Sequence, residues 1–106
     1  MMNDYLFLYE GGQMPETPAQ KTKVMKAWDA WFHKIGKAMK DGGNPFTGKT
    51  KTIGSEGKVS HRAKSKANGY SIVRAKSLDA AVAIAKGCPV VKEGGKVTVY
   101  ETFKIM

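Results

Sequence analysis

Apolar and polar positions divide the chain into two helical stretches and several alternating ones. The longest periodic stretch lies between Thr17 and Phe46, TPAQKTKVMKAWDAWFHKIGKAMKDGGNPF. Val24, Trp28, Trp31, Phe32, Ile35 and Met39 recur there at helical spacing and form one stripe at about 100° per residue. Lys23, Lys26, Lys34 and Lys37 fall on the opposite side. Thr17 is the expected N-cap, Pro18 suits the first helical position, and Gln20 completes a capping box. The stop is expected at Gly42-Gly43, with Pro45 forbidding continuation.

The first strand is expected over residues 4–9, DYLFLY, with Tyr5, Phe7 and Tyr9 on one face and Leu6 and Leu8 on the other. A strand with one wet face alternates apolar with polar, so this one is expected to be buried on both sides. The chain's own helices can cover one side, and a second subunit is the simplest cover for the other. Gly11-Gly12 and Pro15 turn the chain toward the long helix. Residues 46–53, FTGKTKTI, alternate as a polar strand. Ser55-Glu56-Gly57 is a turn, 58–61 returns as a short hairpin partner, and 62–69 is a loop.

Residues 70–75, YSIVRA, form the next strand. Ser77 then caps an alanine-rich helix from Leu78 to Lys86, with Asp79 placed to complement its dipole. Gly87 and Pro89 end this helix, Val90-Val91 leads into a turn at 93–95, and a last strand covers 96–105. On that strand Val97, Val99, Phe103 and Ile105 share a face with Glu101, and Thr98, Tyr100, Thr102 and Lys104 take the other. The order strand–helix–strand–strand–helix–strand, with one extra hairpin, predicts an α+β fold of the ferredoxin-like split βαβ type. Its antiparallel sheet carries two helices on one face.

Composition narrows the function classes. At 106 residues the chain is one domain, 1–106. The net charge is +9, from 18 basic and 9 acidic residues, which raises a polyanionic partner as a rival reading. Arg62 and Arg74 are the only arginines, however, and lysine is the common solubilising charge, so specific nucleic-acid recognition is the lesser expectation. The stretch from Lys49 to Lys66 holds Lys49, Lys51, Lys58, His61, Arg62, Lys64 and Lys66, which reads as a solvated hairpin and loop or as an anion-binding flap.

Cys88 is the single cysteine, which rules out an internal disulfide and suggests a reducing, cytoplasmic home. It has no second metal-type ligand nearby, and no metal is expected. The first residues lack a basic n-region, and no apolar run is long enough to span a membrane. Neither a phosphate loop nor a dinucleotide fingerprint is present, so no cofactor is expected.

Trp28 and Trp31 are read as core, or alternatively as the wall of a cavity between helix and sheet, with Met25 and Asp29 at its rim. His33 lies on the lysine side and faces water. His61, at the end of the basic hairpin, is the better acid–base candidate. Asp41 is an acidic residue at an expected helix C-terminus, where the dipole disfavours it, and this makes it a second candidate.

The strand YLFLY, the helix AWDAWFHKIG, the corner KDGGNPF, the passage GYSIVRAKSLDAAVAIAKGCP and the final EGGKVTVYE together resemble the YCII-related family in its DGPF branch. Asp41, Gly42, Pro45 and Phe46 match that corner, with Gly43 and Asn44 between. The resemblance implies a ferredoxin-like fold that dimerises into an α+β barrel, with no established reaction. It also implies a bacterial setting in which some relatives accompany sigma factors. In the shorter branch a helix histidine paired with an acidic residue marks the implied active site. Aligning the helix glycine on Gly36 places Met25 at that histidine's position, so the acid–base pair is missing here.

The expectation is therefore a homodimer that binds, or turns over, a small anionic or aromatic molecule in a cleft between the long helix and the sheet. Trp28, Trp31, Asp41 and Tyr70 line that cleft, with His61 and Arg62 at its entrance. The rival is a basic nucleic-acid or regulatory-partner module using the Lys49–Lys66 stretch.

Overall fold

A computed structural model describes residues 2–12, 15–61 and 65–105. It is a mixed α+β structure with a four-stranded antiparallel sheet and three helices. The central strand is β1 (Asn3–Glu10). It pairs along its length with β5 (Ala67–Ala75) on one side and with β6 (Lys96–Glu101) on the other. A short strand, β2 (Met39–Asp41), joins the far edge of β5, so the sheet order is β2-β5-β1-β6. Two further strands, β3 (Thr52–Ile53) and β4 (Val59–Ser60), form a separate hairpin where the sequence predicts one.

Alternation along β1 sends Tyr5, Phe7 and Tyr9 to the covered face. Tyr5 and Phe7 are fully buried, as are Ser71 and Val73 on β5. Removing each such aromatic or aliphatic side chain from water contributes about 1.5–3 kcal/mol. The cover comes from α1 (Pro18–Ile35), α2 (Leu78–Ala85) and α3 (Pro89–Lys92). In α2, buried Ala81 and Ala85 keep the helix close to the sheet. Trp31 is the buried residue of α1. Its ring packs on Phe7 at 6.3 Å, and its indole N–H donates to the Ile84 carbonyl at 3.3 Å.

The caps fall where the sequence puts them. Thr17 and Gln20 form a reciprocal capping box, and the Ser77 hydroxyl accepts from the Ala80 N–H.

The end of α1 is a correction. The helix stops at Ile35, short of the expected Gly42-Gly43. Gly36 takes a φ of 62°, its N–H bonds back to the Phe32 carbonyl, and a 3₁₀ turn over Gly36–Ala38 follows. Met39 to Asp41 then leave the expected helical stripe to pair with Val73 and Ile72 of β5. Backbone groups that would have continued a helix are satisfied in the sheet instead.

Three further corrections follow. Val90-Val91 is part of α3, whose first position is Pro89, so the helices number three where the sequence predicts two. The expected strand at 46–53 shrinks to Thr52–Ile53. The last strand ends at Glu101, leaving Phe103 and Ile105 exposed.

Gly43, with φ 70°, closes the turn after β2, and a Cβ there would lie 1.7 Å from the Tyr70 carbonyl oxygen. Gly43→Ala is expected to cost about 3 kcal/mol or more in urea unfolding. Gly36→Ala meets no atom within 4 Å and should cost only the strain of its positive-φ backbone, about 2 kcal/mol. Equal losses at the two positions would contradict the packing described.

Candidate functional site

The expected cleft between α1 and the sheet is filled. Trp31 is 5% exposed and belongs to the core. Trp28 is half-buried, edge-on to Tyr9 at 5.3 Å and to Trp31 at 5.7 Å, with Phe32 beside both. A hollow of about 70 Å³ remains at the mouth, between the loop after β1, the first half of α1, and α3; Gly11, Gly12, Val24, Trp28, Pro89, Val90 and Glu93 line it. Drug-sized ligands occupy pockets of about 300–1,000 Å³, so this hollow is too small for one. Met25 is 71% exposed, and the Asp29 side chain is exposed beside His33.

The other expected site residues do not meet at that cleft. Asp41 does not end a helix, so the dipole argument for it falls. It ends β2, and its carboxylate accepts the Gly43 N–H at 2.8 Å, a turn-forming role. Tyr70 lies on the sheet face opposite the tryptophans, because Ser71 beside it is the residue that points to the core. His61 is exposed, and His33 sits on the exposed side of α1 as expected, 2.9 Å from the Asp29 carbonyl. Arg62 lies outside the described residues.

Beneath the corner after β2, the Tyr9 hydroxyl donates to Ser71 Oγ at 2.7 Å, and Ser71 donates to the Gly42 carbonyl at 2.7 Å. This relay ties the centre of the sheet to the corner. Burial pushes the Tyr9 phenol up in pKa, so it stays a donor. Burial likewise pushes the Cys88 thiol up to about 11, which keeps it protonated and unreactive at neutral pH. No group of three metal-type ligands occurs among the described residues. Nor is any described helix long and apolar enough to cross a membrane.

The helix-free face of the sheet carries the most distinctive surface. Register places Leu6 between Ile72 and Tyr100, and Leu8 between Tyr70 and Thr98. Phe46 stacks on Tyr70 at 6.0 Å and 29°. Tyr100 is 48% exposed and Phe46 44%. The doubly apolar pattern of YLFLY signals this face. Tyr100 falls on the side of its strand that the alternation predicts, but one aromatic among threonines reads as an ordinary exposed position.

At one end of this face Asp4 accepts from Lys40 at 2.5 Å and from Arg74 at 3.4 Å. Two cations therefore share one carboxylate. The whole chain exposes 8482 Å². A compact monomer of this size exposes about 5,800 Å², which leaves a surplus of roughly 2,600 Å².

No family model, curated protein or solved structure matches this chain.

The Lys40 hydrogen bond, with Arg74 beside it, holds the Asp4 carboxyl below its ordinary value. A depressed folded pKa stabilises the fold above the unfolded value and loses that contribution as pH falls through the folded one. Asp4→Asn is therefore expected to be less stable than the parent at pH 7. The gap should close as pH drops below about 4. A gap that persists unchanged at pH 2 would rule out this origin.

Proposed function

We propose that the chain works as a homodimer whose two helix-free sheet faces lie against each other, and that a small aromatic acid binds in the space between them. The observation that carries this reading is the apolar, aromatic face left uncovered in a single copy, together with the surplus of exposed surface. An apolar face of this kind, rimmed by charge, marks an interaction surface.

The finer architecture belongs to the same proposal. The order β2-β5-β1-β6, with connections through α1 and α2, supports a ferredoxin-like split βαβ topology. Two such sheets face to face would make the dimeric α+β barrel of the YCII-related family. A single buried thiol suits a reducing compartment, so we place the protein in the cytoplasm.

The ligand class follows from the chemistry of the face. Tyr70, Phe46 and Tyr100 offer ring surfaces. Lys40 and Arg74 exceed by one the negative charge they hold, so they favour an anionic group. Arg74 is four residues along β5 from Tyr70, about 13 Å between α-carbons, so a small aromatic acid on Tyr70 meets the guanidinium where the long Arg74 side chain extends along the strand. The proposed activity is binding. His33 pairs with Asp29 at 3.5 Å on the exposed side of α1, away from this face, His61 is exposed and Cys88 is buried.

Sedimentation at tens of micromolar, roughly the range where a moderately tight dimer is populated by mass action, should give a dimer. Leu6→Glu should shift it to monomer while α-helical circular dichroism is retained. A wild-type monomer would remove the proposal.

A thermal-shift screen of aromatic acids, amines and neutral analogues should favour the acids. Tyr70→Ala or Lys40→Ala should weaken the best ligand by about tenfold, the loss of one good contact. No shift by any member would remove the ligand half and leave the dimer standing.

A further inference from the structure

One segment stands apart from the core. Every described residue from 44 to 61 is exposed. Within it, β3 and β4 form their own two-stranded sheet, in which Ile53 pairs with Val59. Ile53 is 70% exposed and Val59 52%. A lone two-stranded hairpin is marginal in water, and an apolar cross-strand pair stabilises it most where another surface dries it.

The segment is rooted in the helix-free face. Pro45 bridges to Gly69, the Phe46 N–H donates to the Asn68 carbonyl at 2.8 Å, and the Phe46 ring stacks on Tyr70. The molecule measures 44 × 43 × 19 Å. The radius of gyration, 15.4 Å, exceeds the roughly 13 Å of a compact domain of this length. From Thr47 to the turn at Ser55 the chain can reach about 30 Å.

The area of the face completes the case. Four strands about 4.8 Å apart, along a central strand of 8 residues, span roughly 500 Å². A standard stable interface takes about 800 Å² from each partner. The hairpin adds exposed apolar surface continuous with that flat face.

We infer that this hairpin is an arm that clasps a second copy of the chain, laying Ile53 and Val59 on the partner's flank. The inference rests on the dimer reading above and adds what closes that dimer. Lys51 follows Ile53's side of the ribbon by alternation, and Lys58 takes the other. The arm therefore carries a lysine on each face, which keeps it soluble before it docks.

The test is Ile53→Ser combined with Val59→Ser, two positions exposed in a single copy. The dimer Kd from sedimentation should rise at least tenfold, with helical circular dichroism unchanged. A photo-cross-linking amino acid at position 53 should also give adducts between isotopically light and heavy copies. An unchanged Kd, with adducts only within one copy, would overturn the arm and leave the face-to-face dimer intact. A monomeric wild type would remove both. Unaltered dimerisation, with salt-sensitive heparin binding lost on substituting Lys51 and Lys58, would also overturn it and assign the arm to a polyanion.

Discussion

The structure depends on β1 being apolar on both faces while the chain's helices cover only one. Tyr5, Phe7 and Tyr9 anchor the covered side, and the whole core gathers on them. Trp31 locks α1 over Phe7 and reaches Ile84 in α2, so one side chain joins two helices to the central strand. Removing so large an aromatic group from such a place costs about 3–5 kcal/mol in comparable cores. On the other side Leu6 and Leu8 sit among Ile72, Tyr70 and Tyr100 with no helix above them.

That asymmetry explains several features at once. The body of the chain is thin because a single helical layer covers the four-stranded sheet. The open face carries charge at both ends: Lys40 and Arg74 hold Asp4 at one, and Glu10 lies across from Lys96 at the other. The corner after β2 is braced from inside by the Tyr9–Ser71–Gly42 hydrogen-bond relay and from outside by Phe46 on Tyr70. Tryptophans fill the helix–sheet cleft, and the sheet face that the helices leave bare stays open in a single copy.

Much of the local structure was legible from the residues. The capping box, the Ser77 cap, the alternation in β1 and the stripe Val24–Trp28–Trp31–Phe32–Ile35 rest on interactions within a few positions, and all hold. The misjudged segments are those whose backbone had two nearly equivalent partners. Lys37 to Asp41 can continue a helix, since Lys, Ala and Met are good helix formers. The available edge of β5 draws Met39 to Asp41 into the sheet instead. Gly36 was the one local signal of that break.

For the site, the sequence determined that β1 is apolar on both faces, that Trp28 and Trp31 share a helix face, and that the hairpin region is basic. These follow from period and charge, which need no knowledge of neighbours. Only the tertiary structure decided that the tryptophans close their own cleft, that Tyr70 points away from them, and that Asp41 serves a turn. The physical reason is that such roles depend on which surfaces distant segments bring together. A side chain's direction in a sheet is set by register with its neighbouring strands, and that register exists only once the sheet has formed.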